Sequence, residues 1–225
     1  MKKRLLMILI LILVVLFGFG VSNEESTKKD SIPIQEKKEE LPVEEKDYSS
    51  DVVGTLYIPD TPFKATITQT VDNVYYLNHD VDGSSNTKGN PFLDYRDNLM
   101  QSKVLRIYGH NSRTINTEFR ILEGYYKEKY YQEHPYIYFE TAKDTKKYQV
   151  FSSYTEVKDW SYYNADFTNI DIYKQELTKY KSKSLYDTGV EVTDEDRILI
   201  LQTCSYEKKY AKYKNKFLLI MAKEV

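Results

Sequence analysis

The sequence predicts a mostly β protein with inserted helices: a closed eight-stranded barrel, preceded by an N-terminal transmembrane helix. Three observations carry this. Eight short stretches are apolar or alternate in polarity, and tight polar turns join many of them. Two longer stretches between them carry apolar residues at helical spacing. The chain opens on an apolar run behind a basic cluster. Closure is the expected form because it removes the unpaired edges that one open sheet would leave.

Lys2, Lys3 and Arg4 precede an apolar run from Leu5 to Val21. A run of this length is about the shortest that crosses a bilayer as a helix. A cleaved signal peptide is the alternative. No small-x-small cleavage site follows, and the run is long for a signal sequence, so residues 1–21 are expected to stay as an anchor. Basic residues ahead of the run keep the N-terminus in the cytoplasm. A single-pass membrane protein with its bulk outside the cell follows. Residues 22–50 form a polar stalk: Ser22 to Asp47 is rich in Glu and Lys, holds Pro33 and Pro42, and has no aromatic residue. Residues 51–225 remain, enough for one domain with an ordinary core. The net charge of -2, with acids and bases mixed, argues against a nucleic-acid surface. One cysteine excludes a disulfide framework.

Val52 to Pro59 reads as a strand, and Phe63 to Thr70 alternates like a second. Val74 to Leu77 is a short aromatic piece, and Asn78 to Asn90, with Gly83 and Gly89, is loop. Phe92 to Tyr95 is another short piece. Val104 to Tyr108 is a strand running into Gly109-His110-Asn111. Thr117 to Glu133 is expected to be one helix, with Phe119, Leu122, Tyr126 and Tyr130 on one face and Pro135 beyond its end. Tyr136 to Thr141 and Lys147 to Tyr154 form a hairpin about the turn 142–146. Asp166 to Lys181 is the second helix, with Ile170, Ile172, Tyr173, Leu177 and Tyr180 as its apolar residues. Arg197 to Cys204 is a buried strand, since four apolar residues run unbroken from Ile198 to Leu201. Phe217 to Ala222 is the last strand. The 22 tyrosines suit half-buried strands and helix faces with wet edges; a tyrosine-lined peptide groove is the other reading.

Cys204 ends a strand and cannot pair with another cysteine, so it is either a packing residue or a reactive one. A thiol nucleophile needs a base or a cation beside it. His79 lies in a polar loop and His134 ends a charged helix, which makes both surface residues. His110 follows a strand and a glycine, so its ring can be aimed. If the two strands are neighbours, Cys204 and His110 converge. Acyl transfer suits that pair: the thiolate attacks a carbonyl and the imidazolium protonates the leaving amine. No ligand spacing supports a metal, and no cofactor motif is present. Asp80, Asp82 and Gly83 lack the rest of a calcium loop. No G-x-S-x-G supports a serine triad.

At these residues the chain resembles class B sortases. Ile200-Leu-Gln-Thr-Cys204 is similar to the family's T-L-x-T-C motif, with Ile at its first position. Tyr108-Gly-His-Asn111 resembles its histidine motif. Tyr75-Tyr-Leu-Asn-His79, Gly89-Asn-Pro-Phe-Leu-Asp-Tyr-Arg96 and the helix before the cysteine strand resemble the class B segments. The resemblance spans about residues 50 to 222. It implies an eight-stranded barrel on the outer face of a Gram-positive cell. It implies a cysteine transpeptidase that cuts the C-terminal sorting signal of a surface protein after Thr and passes it to a peptidoglycan-precursor amine. Cys204 is then the nucleophile and His110 the general acid/base. The family's arginine has no counterpart, because none follows Arg197. Counting from the cysteine puts Lys212 in its place; aligning the last strand puts Lys216 there. Lysine lacks the planar fork of arginine, so a sortase-like barrel that binds peptide without cleaving it is the alternative function. A simple cysteine hydrolase differs from the transpeptidase only in the acceptor.

Overall fold

The computed structural model describes residues 48–225. The expected anchor, and the stalk up to residue 47, lie outside the described residues. Among the described residues no helix is long and apolar enough to cross a membrane.

Eight strands close into a barrel: β1 (Val52–Tyr57), β2 (Lys64–Thr68), β3 (Phe92–Leu93), β4 (Val104–Tyr108), β5 (Tyr136–Glu140), β6 (Thr145–Glu156), β7 (Ile198–Cys204) and β8 (Phe217–Glu224). Their order around the barrel is β1-β2-β3-β4-β7-β8-β6-β5, and β5 pairs back onto β1. The expected hairpin is β5–β6, with Glu140 opposite Thr145. Strand β4 runs parallel to β7, from Val104 opposite Ile198 to Tyr108 opposite Gln202.

The unbroken apolar run of β7 has a structural cause. Leu199 and Leu201 point into the barrel, among Leu105, Ile107, Leu218 and Ile220. Ile198 and Ile200 point outward, under Tyr173, Leu177 and Tyr180 of a helix laid across the sheet. Both faces are therefore dry, and alternation disappears. Each such side chain stabilises the fold by roughly 1.5–3 kcal/mol relative to exposure.

That covering helix is α3 (Ile170–Lys183), and it starts four residues later than its apolar pattern suggests. Asn169 is its N-cap, with the side-chain oxygen accepting from the Asp171 and Ile172 amides. Asp166 instead stops a preceding turn by accepting from Thr168. Ile170 is consequently exposed rather than on the buried face.

The single helix expected over 117–133 is two pieces. Glu118–Tyr126 is a 3-10 segment, and α1 covers only Glu128–Glu133. Phe119, Leu122 and Tyr125 are the buried residues, a spacing of three that matches the 3-10 turn. Lys127 is extended between the pieces, and the Tyr130 ring folds back onto Gly124, where a Cβ would meet it at 2.8 Å. A short helix α2 (Ser161–Asn164), carrying no sequence pattern, precedes α3. Tyr125, Tyr173 and Tyr180 are core residues, whereas Tyr108 and Tyr163 line a cleft.

Candidate active site

The parallel register of β4 and β7 brings the two candidate residues together. Tyr108 pairs with Gln202, so two residues further on His110 runs beside Cys204. Neighbouring strands lie about 4.8 Å apart. The ladder continues past its last pair: the Gly109 amide donates to the Gln202 carbonyl at 3.1 Å, and the Thr203 hydroxyl donates to the Gly109 carbonyl at 2.7 Å. Gly109 is needed because the Phe119 ring sits 2.6 Å from where its Cβ would be.

Cys204 and His110 share a cleft of about 260 Å³ with a mostly apolar lining. Leu77, Phe92, Tyr108, Tyr163 and Phe217 form much of its wall. His110 Nε2 lies 2.8 Å from the Leu77 carbonyl. A carbonyl only accepts, so this bond takes the Nε2 proton and leaves Nδ1 as the other working nitrogen. Burial pushes the Cys204 thiol up, and the positive charge of Lys216 acts in the opposite direction. Cys204 is half-buried, and its carbonyl accepts from the Asn111 side chain at 3.0 Å.

The lysines separate clearly. Lys216 stands just before β8, is half-buried, and donates to the Tyr213 carbonyl at 3.1 Å. Lys212 is exposed, with its ammonium 5.2 Å from the Tyr213 ring centre. Strand β8 begins at Phe217, so Lys212 and Lys214 belong to the loop before it and share no strand face with Lys216. Of the two candidates, Lys216 is the one whose charge acts on the thiol.

The other histidines keep to local contacts. His79 stacks on Tyr75 at 4.1 Å, and His134 packs on Tyr130 at 4.6 Å; both are half-buried rather than free surface groups. Asp80 and Asp82 accept from nearby amides in their own loop. Among the described residues no group of His, Cys, Asp and Glu side chains could hold a metal ion.

Tyr163 and Arg106, behind the cleft, have no signal in the sequence, whereas Asp94 and Arg96 fall in the segment 89–96 that carries the resemblance. The Arg96 guanidinium covers the Tyr163 ring at 4.4 Å, and Arg106 donates to the Tyr163 carbonyl at 2.7 Å. Asp94 accepts from Arg96 and, at 2.7 Å, from the Tyr108 hydroxyl. Burial opposes its charge, yet these bonds hold its carboxyl well below the usual range.

Residues 56–225 match the sortase domain family. Sortase B of Listeria monocytogenes is 33% identical over 165 residues, covering 73% of this chain and 67% of that protein. Sortase B of Staphylococcus aureus is 35% identical over 159 residues, covering 69% of this chain and 64% of that protein. The chain thus spans about two thirds of the length of these relatives. Among solved structures, Clostridium perfringens sortase B is similar with a TM-score of 0.71 at 27% identity, covering 80% of this chain and 97% of that one. A Staphylococcus aureus sortase B–substrate complex is similar with a TM-score of 0.70 at 33% identity, covering 78% and 80%. With the barrel, the cysteine strand and the neighbouring histidine already in view, the chain belongs to the sortase B family of cysteine transpeptidases.

Proposed function

We propose that Cys204 and His110 carry out acyl transfer from a sorting-signal peptide to an amine, with Lys216 as the cation beside the reacting carbonyl. The observation that supports this is the parallel β4–β7 register, which continues to bring residues 110 and 204 side by side, both lining one cleft. In the first step the Cys204 thiolate attacks the peptide carbonyl, and Lys216 and nearby N–H donors stabilise the oxyanion. The C–N bond then breaks as the His110 imidazolium gives its proton to the leaving amine, and a thioester remains. In the second step an incoming amine attacks the thioester, His110 takes the amine's proton, and the thiolate leaves.

The substrate is a surface protein with a C-terminal sorting signal cut after Thr, and the acceptor is a peptidoglycan-precursor amine. A related Staphylococcus aureus sortase B was solved with substrate, which supports a peptide in this cleft. Residues 1–21 would hold the protein to the membrane as a single pass with its N-terminus in the cytoplasm. Residues 22–50 would lift the catalytic domain, 51–225, from the extracellular face.

The test incubates the chain with a panel of sorting-signal peptides and an amine acceptor, with products read by mass spectrometry. Wild type should form amide product, while Cys204→Ala and His110→Ala should form none above background. The same absence of product for wild type and Cys204→Ala across the panel would sink the reading. Hydrolysed peptide alone, with amine present, would point to a hydrolase. The absence of an arginine after Arg197, with lysines in its place, motivates one competing function, a barrel that binds peptide without cleaving it. Peptide affinity that survives Cys204→Ala, without any covalent adduct to wild type, would support that competitor.

A further inference from the structure

We infer that Asn111 is a positioning residue for the Cys204–His110 pair, with its side chain standing in for a missing rung of the β4–β7 ladder. In a parallel ladder the amide of every second residue donates to the facing strand. Gly109 does so, through its bond to the Gln202 carbonyl. The next rung would run from the amide of residue 111 to the carbonyl of residue 204. Strand β4 has ended by then, at Tyr108, and the side-chain Nδ2 of Asn111 fills that place, 3.0 Å from the Cys204 carbonyl. His110 therefore lies between two ties to β7, one from backbone and one from side chain.

The surroundings fix this amide. Asn111 is only 4% exposed. Its Nδ2 also donates to Glu123 Oε1 at 3.0 Å, which uses both N–H groups of the amide and sets which end faces Cys204. Glu123, in the 3-10 segment, is in turn 3.6 Å from Arg113. A buried amide with both donors engaged has little freedom to swing. Without it, the backbone at His110 and the carbonyl end of Cys204 lose their common reference. A misplacement of about 1 Å between reacting groups can cost about 10²-fold in rate.

This inference rests on the proposed pairing of Cys204 with His110, and its test needs no knowledge of the sorting signal. The rate of Cys204 alkylation by iodoacetamide is measured by mass spectrometry across pH. Wild type, His110→Ala, Asn111→Ala and the double variant are compared, with thermal melting as the control for folding. Asn111→Ala should slow alkylation near neutral pH by about 10-fold or more, toward the His110→Ala rate. The double variant should be no slower than His110→Ala alone, because the two residues act as one unit. Glu123→Ala, on a partly exposed side chain, should give a smaller loss in the same direction and no further loss on top of Asn111→Ala. A wild-type rate for Asn111→Ala overturns the inference, as does an equal fold-loss in the presence and absence of His110. Equal rates for wild type and His110→Ala would remove the catalytic pair itself, and the positioning role with it. An absence of peptide product with an intact His110 effect would instead count against the substrate assignment alone.

Discussion

The Cys204 thiol is under two opposed influences, burial that raises it and the Lys216 charge that lowers it. A thiolate is the nucleophile, so the balance sets how much enzyme is ready to react at neutral pH. Removing a positive charge destabilises the thiolate. Lys216→Met should therefore move the midpoint of the pH-dependence of Cys204 alkylation upward, and Lys212→Met should leave it in place. Turnover should fall by about 10²-fold in Lys216→Met, as for loss of one oxyanion donor. Lys216→Arg should keep the charge and restore activity. A midpoint that moves equally for both lysines would mean that the whole basic loop acts on the thiol. Spacing alone left the choice between these lysines open, because the loop between β7 and β8 holds several and its length fixes none of them. The ladder favours Lys216: Cys204 pairs with Phe217, and the residue before Phe217 is Lys216.

Elements read best from the sequence where burial on both faces produced a nearly unbroken apolar run. Strands β4, β7 and β8 match their apolar runs closely, and the β5–β6 hairpin lies where its turn residues put it. Segments governed by side-chain capping or by a period of three were misread, as at Asn169 and over 118–133. Helix α2 was invisible because four residues cannot show a period. The turn that leads into α2 owes its shape to Glu156. This carboxylate is buried and accepts from the amides of Val157, Lys158 and Asp159 at 2.8, 2.9 and 3.0 Å, with Lys183 at 2.5 Å. Burial opposes its charge, but Lys183 and these amides hold its carboxyl below the usual range. A carboxyl with a depressed folded value contributes stability above its unfolded value and loses it as pH falls through the folded one. Wild type should lose stability as pH drops from about 5 toward 3, and Glu156→Gln should show less of that loss. At pH 7 the substitution should cost about 1–3 kcal/mol, measured by urea unfolding. Trp160 fluorescence should change with it, since the indole packs 5.6 Å from the Phe217 ring at the cleft wall.

Across the whole molecule, Arg106 ties three parts of the barrel together. It sits in the middle of β4, grips Asp97 in the loop after β3 through bonds of 3.0 and 2.5 Å, and donates to Tyr163 in the segment between β6 and α3. Burial pushes the Asp97 carboxyl up, and Arg106 works against that push. The pair is nearly dry on both sides. Such a pair adds little net stability over a well-packed apolar replacement, yet breaking it leaves a buried charge without a partner. Arg106→Met should therefore cost about 3–5 kcal/mol in guanidinium unfolding, and Arg106→Met with Asp97→Leu should recover most of it. Stability and function then separate. The double variant keeps the barrel but lacks the donor to the Tyr163 carbonyl, so the cleft wall loses one of its supports, while the Arg96 stack and the Tyr108 ring beside it remain. Its KM for peptide should rise with little change in kcat, because Tyr163 lines the binding cleft while Cys204 and His110 are held by the β4–β7 ladder. A double variant as unstable as Arg106→Met would show that Arg106 is held for packing and not for its charge. A double variant with wild-type KM would show that the remaining contacts of Tyr163 are enough to hold the wall.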